Sequence, residues 1–241
     1  MEPMTGRAIF EGFGGAGFRN LFGLGFGAEI IYSFIIIVCS LMIYFGTKEL
    51  YELSSYKGIK YFRQAFLFFA IAYFFRSFIK FILAYFNIRE ILAFSPWVFG
   101  SFTLFLFMYF SSIAIFYLLY SVMWKKWNGN SDKIYLFHGL ALFLAAISVL
   151  LRNPLVYFGL NILLFLFVVF VVYAIYKHSK KGIKGHNLYV IYLLLFIFWI
   201  LNIVDILIPA FFQTFQLFIY LASSGIFLLI LYRVLKKTGS N

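Results

Sequence analysis

The chain has 241 residues, of which 64% are hydrophobic and only 12% charged, with a mean hydropathy of +0.98. A soluble domain carries about 25% charged residues, so this composition excludes one and specifies a multi-pass integral protein of the cell membrane. The net charge of +12 would suggest nucleic acid in a soluble protein; here it reads as membrane topology and contact with anionic lipid, with no nucleic-acid partner. A single cysteine, Cys39, rules out an intramolecular disulfide.

Residues 1–27 are rich in glycine and phenylalanine and end in FEGFGGAGFRNLFGLGFG. Glycine at this density disfavours a stable helix. The stretch is expected to be a flexible arm, or to lie in the interface with its Phe side chains in the headgroup region; a re-entrant segment is the alternative. It lacks the Lys/Arg-led apolar region and small-residue cleavage site of a signal peptide. Residues 28–237 are expected to form a transmembrane domain, and 238–241 a short tail.

Seven apolar spans follow the arm, at 28–46, 61–88, 96–123, 134–151, 155–176, 188–208 and 210–234. Pro96, Pro154 and Pro209 fall at the starts of the third, fifth and seventh, so no proline interrupts a span. Ser95 and Asn153 precede the first two as N-caps, with Pro at the first helical position. Ser131 or Asp132 can cap the fourth span and Asn187 the sixth. The second span reads YFRQAFLFFAIAYFFRSFIKFILAYFNI and becomes long enough to cross only by running through Arg76 and Lys80. That places Arg76 near its middle and Lys80 one turn further on the same face. A cation at that depth costs about 2.5–3.5 kcal/mol or more, so it should be paired, snorkel or line a wet cavity.

Orientation follows from Lys and Arg. One side holds fourteen: Lys48, Lys57, Lys60, Arg63, Lys125, Lys126, Lys133, Lys177, Lys180, Lys181, Lys184, Arg233, Lys236 and Lys237. The other holds Arg7, Arg19, Arg76, Lys80, Arg89 and Arg152. The fourteen-residue side faces the cytoplasm, giving an all-α bundle of seven transmembrane helices with its N-terminus out and C-terminus in. Short connections make chain neighbours pack antiparallel.

The segments AEIIYSF, GTKELYEL and GIKYFRQAFLFFAIAYFFRSF, within residues 21–80, resemble uncharacterised multi-pass membrane proteins of archaea, chiefly small-genome lineages. The resemblance implies an archaeal source and carries over no activity or ligand residues. Internally, the third span has Pro96, Ser111-Ser112 and Lys125-Lys126, and the seventh has Pro209, Ser223-Ser224 and Lys236-Lys237. A parallel three-plus-one-plus-three repeat has this topology. Similar demands on two helices running the same way explain the likeness more cheaply, since no equivalent match joins the first and fifth spans or the second and sixth.

The unusual polar groups lie mostly in the outer half. Asp205 is near the outer end of the sixth span, Asn202 one turn deeper, Asn161 about two turns into the fifth, and Gln213 and Gln216 within the first two turns of the seventh. Lys80 and Arg76 approach these levels from the second. Asp205 is the one acid well inside an apolar stretch, apart from Glu29 at the mouth of the first span, and pairs naturally with Lys80 or Arg76. A membrane-buried ion pair is the bland reading. The functional one is a water-accessible pocket, net positive from two cations and one acid, in which Arg76 holds an anionic or zwitterionic ligand bidentately and Asn161, Asn202, Gln213 and Gln216 orient it. Each amide alone more often makes an interhelical hydrogen bond. His138, one turn into the fourth span, reads as a neutral ring bonded to a neighbouring helix, with proton shuttling as the alternative. Ser111-Ser112 and Ser223-Ser224 read as close-packing or back-bonding pairs.

No Cys/His or His/carboxylate cluster has metal-ligand spacing, and GxSxG, HExxH and a Gly-rich phosphate loop are missing. No enzyme activity, cofactor or metal is expected. The seventh span has no lysine for a retinal Schiff base. The function expected is a small transporter or channel-like protein with an outward-facing pocket for an anionic or zwitterionic solute. The alternatives are a seven-helix sensor signalling to a cytoplasmic partner through its basic inner loops, and a lipid-organising or assembly subunit. The partners expected are that solute, further copies of the chain in a homo-oligomer, and anionic headgroups at Lys125, Lys126, Lys180 and Lys181.

Overall fold

A computed structural model describes residues 24–85, 96–127, 132–151, 153–179, 186–207 and 213–238. They form eight helices, seven of them long: α1 (Leu24–Gly46), the short α2 (Lys48–Ser54), α3 (Lys57–Tyr85), α4 (Pro96–Met123), α5 (Asp132–Leu150), α6 (Pro154–Ser179), α7 (His186–Leu207) and α8 (Gln213–Thr238). Among the described residues, six helices are long and apolar enough to cross a membrane; α3, which carries Lys57, Lys60, Arg63, Arg76 and Lys80, is not one of them.

The boundaries follow local chemistry. Pro96 and Pro154 open α4 and α6, where a missing N–H costs nothing. Asn153 caps α6 by accepting the Leu155 N–H at 2.9 Å. Two bounds differ from the sequence reading. α7 begins at His186, one residue before the expected cap Asn187. Between the first two spans KELYELS forms α2, closed by Ser55 in the left-handed region at φ 50° with its N–H on Tyr51 O. The first span starts at Leu24, inside the arm as drawn from sequence. Residues 1–23, Ser95, Ser131, Pro209 and the 180–185 basic loop lie outside the described residues.

Packing runs α1, α3, α4, α6, α7, α8 and returns to α1, closing a ring of six helices. The fifth helix stands outside it, against α4 and slightly against α6. The order α1–α3–α4 recurs as α6–α7–α8, so α3 and α7 occupy equivalent places on opposite sides of the ring. Inside a bilayer, apolar burial gives no driving force between helices; close packing does. Ser111, Ser112, Ser223 and Ser224 are buried accordingly, and Ser111 Oγ bonds back to Met108 O at 3.2 Å. At the centre, Phe66 and Phe69 of α3 and Phe198 of α7 close on Phe227 of α8, with ring centroids 6.3, 6.4 and 4.7 Å away.

Candidate functional site

Three helices meet at one end of the ring, each supplying two side chains three residues apart and therefore on one face. They are Glu29 and Tyr32 of α1, Tyr73 and Arg76 of α3, and Asn202 and Asp205 of α7. The outer layer is ionic. Arg76 Nε donates to Glu29 Oε1 at 3.4 Å, and an Nη of the same guanidinium donates to Asp205 Oδ2 at 3.2 Å. These three side chains retain 20%, 13% and 11% exposure, so the triad is largely but not wholly dry. The guanidinium also lies over the rings of Tyr73 and Phe107, at 5.8 and 5.7 Å from their centroids.

One turn deeper the layer is neutral. The Tyr73 hydroxyl donates to Asn202 Oδ1 at 3.0 Å and is 3.0 Å from the Tyr32 hydroxyl. Since Tyr73 spends its proton on Asn202, Tyr32 is the donor to Tyr73. Asn202 Nδ2 bonds back to Phe198 O at 2.9 Å. Tyr220 of α8 stacks on Tyr32 at 4.9 Å and lies within electrostatic reach of Glu29, Arg76 and Asp205. Tyr157 of α6 reaches Arg76 and Asp205 in the same way. Below this layer stands the Phe66–Phe69–Phe198–Phe227 plug. The site can therefore offer a guanidinium, two carboxylates, hydroxyls and an amide to a polar group, with apolar rings beneath.

Of the residues named from sequence, Arg76, Asp205 and Asn202 are brought together. Asn161 is 5% exposed, but its Nδ2 bonds back to Tyr157 O at 2.8 Å, along its own helix. Gln216 is part-exposed, one turn before Tyr220 on α8. The side chains of Lys80 and Gln213 lie outside the described residues. Arg76 lies five residues beyond the midpoint of α3, whose 29 residues run about 43 Å, and it meets α7 at Asp205. The expected charge balance shifts, because Glu29 joins: the described groups are one cation and two carboxylates. Sequence reasoning set Glu29 aside as a mouth residue. Among 18 tyrosines, nothing distinguished Tyr32, Tyr73, Tyr157 and Tyr220.

The opposite end of the bundle is rich in lysine and in aromatic rings. Arg63 sits 4.8 Å from the Tyr44 ring centroid and donates to Tyr44 O at 3.0 Å. Lys125, Lys133 and Lys236 lie 5.2, 4.8 and 6.0 Å from the rings of Tyr56, Trp127 and Tyr232. His138 is bonded through both ring nitrogens, to Tyr109 and Tyr117 of the neighbouring α4.

An apolar all-helical bundle with six helices fit to cross a bilayer is the architecture of a multi-pass membrane protein. The chain is similar to an uncharacterised protein of Archaeoglobus fulgidus, 34% identical over 139 residues, covering 54% of this chain and 57% of that protein. The match thus spans little more than half of the relative's length. No family model matches the chain and no solved structure matches it.

Proposed function

We propose that the protein is a small-solute transporter that crosses the membrane seven times, with the charged end of its ring outside and the lysine-rich end in the cytoplasm. The observation that carries this reading is the pairing of α3 with α7 across the ring at a constant separation. Arg76 faces Asp205 and Tyr73 faces Asn202, each 129 residues apart. In transporters built from repeats, the solute site lies at the repeat interface and the two halves rock about it. Here the path runs along the ring axis, past the ionic and hydroxyl layers, to the phenylalanine plug. Among the described groups one cation is flanked by two carboxylates, an arrangement that suits a zwitterion: its acidic group engages Arg76, and its ammonium engages Glu29 or Asp205. The fourteen Lys and Arg assigned to the other side support the orientation and an anionic-lipid contact there, with Lys125 and Lys126 exposed at the end of α4.

Uptake of labelled amino acids and other zwitterions into proteoliposomes tests this, comparing the parent chain with Arg76→Lys, which keeps the charge but loses the two-nitrogen geometry. Loss of uptake with retained folding supports the reading. No uptake of any tested solute by the parent, or equal uptake by the variant, refutes it. The same triad favours a second reading, an assembly subunit. Arg76 already has two partners within the chain, and its bridges tie α1, α3 and α7 together.

A further inference from the structure

Away from the ring axis, α4 and α5 gather three hydrogen-bonding side chains near the outer wall of the bundle, with Tyr109 and His138 part-exposed and Tyr117 buried behind them. The His138 ring lies between two hydroxyls of α4, with Tyr109 Oη 2.8 Å from Nδ1 and Tyr117 Oη 3.1 Å from Nε2. A neutral imidazole has one N–H and one bare nitrogen. In either tautomer one tyrosine donates to the ring and the other accepts from it, so one hydroxyl proton remains to be donated elsewhere. A doubly protonated ring leaves two. In surroundings without water, such a donor is costly until it meets an acceptor.

The position opens toward the bilayer. As the helix outside the ring, α5 packs on α4 through Phe137, Ala141, Leu144, Ala145 and Ser148. His138 lies at the edge of that face. Tyr135 and Leu142, about one turn to either side, are exposed, and a Cβ at Gly139 would meet nothing within 4 Å. From Asp132 the ring is about 9 Å into the helix, inside the apolar stretch. The adjoining wall is aromatic and flat: Phe110 stacks on Phe68 at 6.1 Å and on Phe75 at 5.8 Å.

We propose that Tyr109, Tyr117 and His138 form a membrane-facing site for a lipid-soluble molecule bearing a carbonyl oxygen, which accepts the remaining tyrosine proton. Two molecules supply that chemistry: a quinone, whose planar ring also suits the wall of Phe68, Phe75 and Phe110, and the ester of a phospholipid chain.

The test uses the full chain in nanodiscs of ether-linked phospholipid, which brings no carbonyl, titrated with a decyl-substituted benzoquinone and read by quenching of tryptophan fluorescence. The expected result is saturable quenching, weakened about five- to tenfold in Tyr109→Phe/Tyr117→Phe and unchanged in Tyr173→Phe, an exposed tyrosine of α6. The two single Tyr→Phe variants carry the test if the double variant fails to fold. In ester-linked nanodiscs, a curve shifted to higher quinone concentration assigns the native occupant to lipid. Coincident curves assign it to quinone, and both outcomes keep the site. Quenching that is linear and identical in parent and variants overturns the proposal. So does a disulfide-linked dimer formed through Gly139→Cys in a Cys39→Ser background, which would show that a second copy covers this face.

Discussion

Removing Arg76 from between its two acids tests whether the ionic layer is one unit. At 3.4 and 3.2 Å each contact is worth about 5 kcal/mol of Coulomb attraction at an effective dielectric of ~20. Desolvation of three mostly buried groups offsets much of this, and taking one partner out of a buried pair costs about 3–5 kcal/mol net. Arg76→Met is therefore expected to lower the midpoint of thermal unfolding in detergent by about 6–10 °C, at roughly 2 °C per kcal/mol for a chain of this size. It removes the cation that bridges Glu29 and Asp205. Glu29→Gln or Asp205→Asn alone leaves Arg76 one carboxylate, held by a different nitrogen, and should cost less, about 1–2 kcal/mol. The combination Glu29→Gln/Arg76→Met/Asp205→Asn should recover at least half of the Arg76→Met loss, since no charge remains buried. Midpoints from tryptophan fluorescence on the purified variants decide the matter. If the triple variant is no more stable than Arg76→Met, or if Arg76→Met melts with the parent, the electrostatic argument is wrong.

Four further outcomes follow from the packing. Tyr73→Phe strands the Tyr32 hydroxyl and Asn202 Oδ1 and should cost about 1–3 kcal/mol, whereas adding Tyr32→Phe should cost little more because it removes one stranded group; the same thermal assay distinguishes these. Phe227→Ala empties a fully buried ring from the centre of the plug and should destabilise by about 3–5 kcal/mol; in proteoliposomes it should also raise passive leak of small solutes, and a tight Phe227→Ala bundle would argue against an axial path. Gly58→Ala places a Cβ against the Tyr56 ring and 2.8 Å from Ser121 O, so α3 must move off α4 and the melting point should fall. Gly159→Ala, which meets open space within a helix, should leave it unchanged or raise it.

The helices were legible because apolar length and proline position determine them almost without reference to the rest of the molecule. Pro96 and Pro154 open helices in the structure as the sequence suggests, and Asn153 makes its cap. The Arg76–Asp205 pair was legible for a related reason: two opposite charges at matching depth in a bilayer have few other partners. Glu29 was missed because a carboxylate near a helix start is ordinarily solvated, and its distance from Arg76 depends on α1 packing beside α3. The tyrosine layer was illegible for a different reason. A Tyr hydroxyl is marked as functional by its partner, and the partners of Tyr73 lie on α1 and α7, 41 and 129 residues away.

The same distinction explains why the two-part packing order left so faint a trace in the sequence. Repeats are recognised by likeness, and the serine pairs Ser111-Ser112 and Ser223-Ser224 show some at a separation of 112 residues. Across the ring axis, however, α3 and α7 do not repeat each other's chemistry; they complete it. A guanidinium faces a carboxylate and a phenol faces an amide oxygen, so the pairs that best define the equivalence of the two helices score as mismatches in any self-comparison. Only deeper does likeness return: Phe69 and Phe198, again 129 residues apart, both close on Phe227. Packing on an axis rewards the same side chain from both sides, whereas pairing charges and hydrogen bonds on it requires different ones. At this site the requirement is complementarity, and α3 and α7 meet it with different side chains.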